Sequence, residues 1–107
     1  MIAPDGYLEV AGMRLEARFI DGPADRPVLI LLHEGLGSVS QWRDFPDLLA
    51  GATGCAVLVW SRAGYGASSP VSLPRPLTYM HDEAVDVLPA IISQLQGRDH
   101  VLVGHSD

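Results

Sequence analysis

The chain is poor in the residues that build disulfides, cysteine-based metal sites and basic surfaces. Its only cysteine is Cys55, which excludes an internal disulfide and a metal site made of several cysteines. It has no lysine, and its seven arginines are scattered among 13 acidic residues, so its net charge is −6 at pH 7. Nucleic-acid binding usually requires a basic patch and is therefore disfavoured.

Long hydrophobic segments are missing as well. No apolar run approaches the roughly 18 residues that would indicate a membrane span. The N-terminus has no basic region followed by an apolar core, which a secretory signal would have. We therefore expect a cytoplasmic protein that binds neither nucleic acid nor a membrane.

What the chain does contain is a series of strand patterns. Residues 7–20 predict a β-hairpin, because apolar and charged residues alternate from Met13 onward and Ala11-Gly12 supplies a turn. Residues 28–32 and 56–60 are continuous apolar runs, which are typical of parallel strands buried on both faces. Residues 101–103 begin another buried strand.

The first helical segment covers residues 38–51. Ser38 and Gln41 have the spacing of a capping box, and Gly51 is the predicted stop. Pro46 lies inside this segment, so it either kinks the helix or begins a second short one.

The second helical segment covers residues 78–96. Thr78 is its predicted cap, Gly97 ends it, and Pro89 should bend it because the proline ring crowds a preceding carbonyl. Helices that alternate with buried strands indicate an α/β fold, here a β-hairpin followed by a mostly parallel sheet with flanking helices. The last strand would have exposed faces and an exposed edge, so we expect residues 1–107 to be the incomplete N-terminal portion of a single domain.

Two glycine-containing turns follow predicted strands and carry the chemistry. Gly104-His105-Ser106-Asp107 has the form of a nucleophile elbow, a sharp turn that exposes a serine hydroxyl. Such a serine needs a base and donors for the oxyanion. The backbone N–H of Asp107 is one candidate donor, and the loop of residues 33–38 after the earlier strand is expected to supply the second.

The order of these segments resembles the α/β-hydrolase superfamily over residues 7–107. That family has His-Gly-x-x-Gly after one strand, Asp-x-Arg-Gly-x-Gly-x-Ser after the next, and Gly-x-Ser-x-Gly after a third. The corresponding segments here are His33-Glu34-Gly35-Leu36-Gly37, Ser61-Arg62-Ala63-Gly64-Tyr65-Gly66-Ala67-Ser68 and Gly104-His105-Ser106-Asp107.

The resemblance implies a role for each matching position. Ser106 would be the catalytic nucleophile, and the N–H groups of Gly35 and Asp107 would form the oxyanion hole. The active-site loop would include His33, Glu34 and Leu36. The resemblance also implies a small-molecule substrate and no cofactor or metal. In this family the histidine base, its acidic partner and the lid follow the serine, so we expect them beyond residue 107, and a complementary C-terminal chain is a candidate partner.

Three positions depart from the family pattern. Glu34 replaces a glycine, and its carboxylate either points away from the oxyanion site or tunes substrate preference. Ser61 and Ala63 replace the usual acidic residue and arginine.

The histidines of the chain are expected to be structural. His33 and His105 should form hydrogen bonds or packing contacts, and His81 and His100 should lie on the surface. None of them is expected to act as the base for Ser106.

Several functions stay open at this point. The favoured hypothesis is a serine hydrolase that cleaves an ester, a thioester or a carbon–carbon bond beside a ketone. Non-hydrolytic serine members of the superfamily, a non-catalytic ligand-binding or receptor protein, and an inert fragment are the alternatives. Epoxide hydrolases and haloalkane dehalogenases are disfavoured, because they carry an aspartate at the position of Ser106.

Overall fold

The computed structural model describes residues 6–35 and 37–106, which form one mixed sheet with helices on both faces. The five strands lie in the order β1-β2-β4-β3-β5. β1 and β2 are antiparallel and β2 pairs antiparallel with β4, whereas β3 is parallel to both β4 and β5. The predicted α/β class is confirmed. The strands are β1 (Tyr7–Val10), β2 (Met13–Ile20), β3 (Val28–Leu32), β4 (Ala56–Trp60) and β5 (His100–Gly104).

The continuous apolar runs of residues 28–32 and 56–60 form the central strands β3 and β4, and a core cluster packs on each face of them. In β3, Val28 and Ile30 belong to a core cluster on one face, and Leu29 and Leu31 belong to a second cluster on the other. β5 lies at the edge of the sheet, and its Val101 remains 47% exposed.

The first helical segment divides in two. A 3₁₀ turn covers Val39–Trp42 and is followed by helix α1 (Phe45–Thr53), in whose first turn Pro46 lies. The second alternative for Pro46, the start of a new helix, is therefore the one observed. Proline suits a first helical turn because the N–H that it lacks would have no partner there.

Two details predicted for this segment are wrong. The capping box does not form, because Ser38 makes no side-chain bond to the backbone and its Oγ lies 3.1 Å from the Oγ of Ser40. The helix also runs past Gly51 and ends where Gly54 adopts a left-handed conformation, with φ of 70°. There the Gly54 N–H donates to the Ala50 carbonyl.

The second helical segment is interrupted shortly before Pro89, the residue at which the sequence predicts a bend. Helix α2 (Tyr79–Asp82) passes into a π-helical turn, Glu83–Val87, and then into helix α3 (Leu88–Ser93). The wider π turn ends two residues before Pro89, in the turn where a regular α-helix would force the proline ring against a carbonyl. The Thr78 hydroxyl bonds to the Asp82 carboxylate rather than capping the backbone.

Candidate functional site

Ser106 lies in the turn that follows β5, at the carboxyl edge of the parallel strands. Its φ is +57°, in the left-handed region that residues other than glycine seldom adopt. The residue is exposed. In the sheet register, Gly104 at the end of β5 lies opposite Leu32 at the end of β3, so the turn holding Ser106 and the loop of residues 33–38 leave the sheet side by side.

Two clefts meet at this turn. Gly104, His105 and Ser106 line both of them. One cleft lies against the helical segment and is otherwise lined by Leu32, His33, Trp60, Arg62, Met80, Glu83, Ala84 and Leu88. The other lies against the 3₁₀ turn and includes His33, Glu34, Gly37, Gln41, Trp42, Phe45 and Val103.

The loop of residues 33–38 is tightly turned. The Gly37 N–H donates to the Glu34 carbonyl at 2.9 Å, and Gly35 lies inside this turn. Of the other predicted site residues, Leu36 and Asp107 lie outside the described residues.

His33 is held by hydrogen bonds through both of its ring nitrogens. The Arg62 backbone N–H donates to Nε2 at 3.0 Å, so Nε2 must be the acceptor and Nδ1 must carry the proton. Nδ1 then donates to the Glu34 carbonyl at 2.7 Å. Burial of the ring lowers the pKa of His33, which keeps it neutral. The side chain therefore joins two loops, as the structural interpretation predicts, and offers no free nitrogen to a nucleophile.

The remaining histidines also lie where structural roles were expected. The His105 ring packs on the Trp42 ring in a T-shaped arrangement, with the centroids 6.1 Å apart. Trp42 in turn stacks on Phe45. His81 and His100 are exposed, the first in α2 and the second at the start of β5.

One cleft contains two charged side chains that sequence reasoning did not assign to the site. Arg62 and Glu83 both line it beside Ser106. Burial raises the pKa of Glu83, and the positive charges of Arg62 and Arg75 oppose that shift. Glu83 lies in an interrupted helix, and no pattern in the sequence indicates that its side chain lines this cleft.

Glu16 on β2 was also missed. Its Oε1 accepts hydrogen bonds from the Ser61 hydroxyl at 2.8 Å and from the Ala67 N–H at 3.2 Å. The alternating pattern of β2 placed Glu16 on the solvent face. The one available signal in the sequence is that position 61 lacks the acidic residue usual in the family, which leaves a carboxylate to come from another part of the chain.

The sequence is similar to those of known proteins. A family model described as "Alpha/beta hydrolase family" matches residues 29–107. Proline iminopeptidase from Lactobacillus helveticus is 28% identical over 102 residues, which are 95% of this chain and 34% of that protein. The chain therefore spans about a third of the length of the curated relatives it matches.

Solved structures agree on the fold. Est1E from Butyrivibrio proteoclasticus, with ferulic acid bound, superimposes with a TM-score of 0.68 at 22% identity, over 94% of this chain and 42% of that one. Epoxide Hydrolase A from Mycobacterium thermoresistibile gives a TM-score of 0.73 at 23% identity, over 94% and 30% respectively. At these identities the similarity establishes the fold alone. Within residues 6–35 and 37–106, no helix is long and apolar enough to cross a membrane.

Proposed function

The chain belongs to the alpha/beta hydrolase family, and on that basis we propose that it carries the nucleophile of a serine hydrolase that forms an acyl-enzyme at Ser106. The observation that carries the proposal is the backbone of Ser106, an exposed serine with φ of +57° at the end of a parallel strand. Strained backbone conformations of this kind cluster at active sites, where they aim a reacting group.

The proposed reaction uses the loop of residues 33–38 as well. The Ser106 Oγ attacks the carbonyl carbon of a small ester, of a thioester, or of a ketone whose adjacent carbon–carbon bond is then cleaved, and its proton passes to a general base. The N–H groups of Gly35 and Asp107 would stabilise the tetrahedral oxyanion. The leaving group departs with the proton, and water then releases the acyl group from Ser106 by the same steps.

The base is proposed to lie outside residues 1–107. His33 uses one ring nitrogen in a bond to Glu34 within its own loop and the other in a bond to Arg62 after β4, and His105 packs on Trp42. The chain also spans only about a third of its curated relatives. We therefore propose that the histidine base and its acidic partner come from the remaining part of the whole protein, and that residues 1–107 alone are inactive.

A fluorophosphonate probe tests this proposal directly, because an activated serine attacks the phosphorus of the probe and displaces its fluoride. The probe should label the whole protein at Ser106, should not label its Ser106→Ala variant, and should label residues 1–107 alone far more slowly. Undiminished labelling of Ser106→Ala would refute the choice of nucleophile. Rapid labelling of residues 1–107 would refute the need for an external base, and an unlabelled whole protein would favour the ligand-binding alternative.

A further inference from the structure

We propose that Glu16 and Ser61 are positioning residues that hold the loop of residues 33–38 in place for catalysis, an inference that rests on the proposed function. Neither side chain lines either of the clefts beside Ser106. They would therefore act through the loop that contains Gly35 and not on the substrate itself.

Hydrogen bonds of fixed direction connect Glu16 to Val39 through the Ser61 hydroxyl. The Ser61 hydroxyl donates to Glu16 Oε1 at 2.8 Å, and the Val39 N–H donates to the Ser61 Oγ at 2.8 Å. A hydroxyl rotates freely, but an ionised carboxylate can only accept. Glu16 therefore fixes the Ser61 proton on its own side and leaves a lone pair of the Ser61 Oγ for Val39.

Val39 lies where a hydrogen bond can hold one end of the loop of residues 33–38. This residue directly follows the loop of residues 33–38 and begins the 3₁₀ turn. At the other end of the loop, His33 accepts the Arg62 N–H. Ser61 and Arg62, the two residues that directly follow β4, thus hold both ends of the loop.

The Ser61 hydroxyl is buried and closely packed. Ser61 is 0% exposed, so an unpaired polar group left there would lose hydration without compensation. A Cβ atom on Gly66 would lie 2.7 Å from the Ser61 Oγ and would clash with Glu16 Oε1.

Four variants of the whole protein test the proposal, with p-nitrophenyl butyrate as the substrate and hydrogen exchange at the Val39 amide as an independent readout. Ser61→Ala and Glu16→Ala each break the chain of hydrogen bonds that runs from Glu16 through Ser61 to Val39. Glu16→Gln keeps an acceptor oxygen. Ser69→Ala is the matched control, because the Ser69 hydroxyl also ties the loop after β4 to β2, at Arg14, without reaching Val39.

We expect Ser61→Ala and Glu16→Ala to lower kcat roughly 10- to 100-fold with little change in KM, since misplacing a catalytic element by about 1 Å can cost about 100-fold. Val39 exchange should accelerate in both. Glu16→Gln and Ser69→Ala should stay close to the wild type. Because Glu16 is only half-buried, Glu16→Ala decides the matter if Ser61→Ala does not fold.

A wild-type kcat in Glu16→Ala, or an equal loss in Ser69→Ala, would overturn the inference. Unchanged Val39 exchange in a variant with lowered kcat would also overturn it. Ser106→Ala keeps this outcome separate from the proposed function: turnover that survives in Ser106→Ala refutes the nucleophile, while turnover lost there but normal in Glu16→Ala refutes only the positioning role.

Discussion

Replacing Gly66 by alanine should destabilise the protein much more than a conformational penalty alone. Gly66 has φ of +51°, so an alanine there pays roughly 1 kcal/mol for the left-handed backbone. Its Cβ would also push against Glu16 Oε1 and the Ser61 Oγ. Displacing the carboxylate breaks the bonds that Ser61 and Ala67 donate to it, at about 1 kcal/mol each. The free energy of unfolding should therefore fall by about 3 kcal/mol.

Gly12 provides a matched control for the backbone penalty. It lies in the turn between β1 and β2 with φ of +78°, and an added Cβ would meet nothing within 4 Å. Gly12→Ala should therefore cost about 1 kcal/mol, the conformational penalty alone. The difference between the two variants isolates the contribution of the contacts around Gly66.

Urea unfolding of both variants beside the wild type is the appropriate assay, with the free energy of unfolding taken from transitions of equal slope. A markedly larger loss for Gly66→Ala supports a rigid arrangement around Ser61. Equal losses in the two variants would refute the reasoning, because they would mean that the carboxylate moves aside without cost.

Two further predictions concern the pH dependence of stability and the edge strand. The pKa of His33 is lowered by burial from the ordinary value of 6.5, so below about pH 6.5 the unfolded chain binds the proton more readily and the free energy of unfolding falls. Urea titrations at about pH 7 and pH 5 should show a smaller fall for His33→Gln, and equal falls would contradict this assignment. Val101 is 47% exposed on edge strand β5. Val101→Lys should reduce light scattering by residues 1–107, because a lysine on an edge strand opposes strand-to-strand association. Unchanged light scattering would contradict this prediction.

The sequence predicts the central strands well because their burial is a local property of the chain. β3 and β4 have the bounds of the two continuous apolar runs, and each run is covered on both faces. The hairpin follows from alternation and from the turn at Ala11 and Gly12, which both have positive φ. In each case neighbouring residues suffice to determine the structure.

The end of α1 could not be predicted in the same way, because two nearby glycines could each end the helix and a distant residue contacts the turn that precedes the second one. Gly51 and Gly54 are both plausible stops by composition. The helix continues to Thr53, whose carbonyl accepts a hydrogen bond from the Arg26 guanidinium at 3.0 Å. Arg26 lies in the loop before β3, and nothing in the sequence near α1 indicates that contact.

The site shows the same division between local and distant determinants. Ser106 and the loop of residues 33–38 follow strands that the sequence identifies, so their proximity could be predicted. Glu16 could not, because it meets Ser61 from a separate strand, 45 positions away in the chain. Alternation along β2 indicates only which face a residue occupies, and does not reveal a partner at the end of β4.

The dependence between positions 16 and 61 leads to a prediction about charge. Ser61→Asp would introduce a second carboxylate in a fully buried position beside Glu16, and burying like charges together should cost several kcal/mol. Glu16→Gln in the same chain would remove one charge and supply an amide donor to Asp. Glu16→Gln should therefore destabilise the wild-type protein slightly but stabilise the Ser61→Asp variant. Urea unfolding of the four proteins measures this coupling, and additive effects of the two substitutions would show that the side chains do not depend on each other.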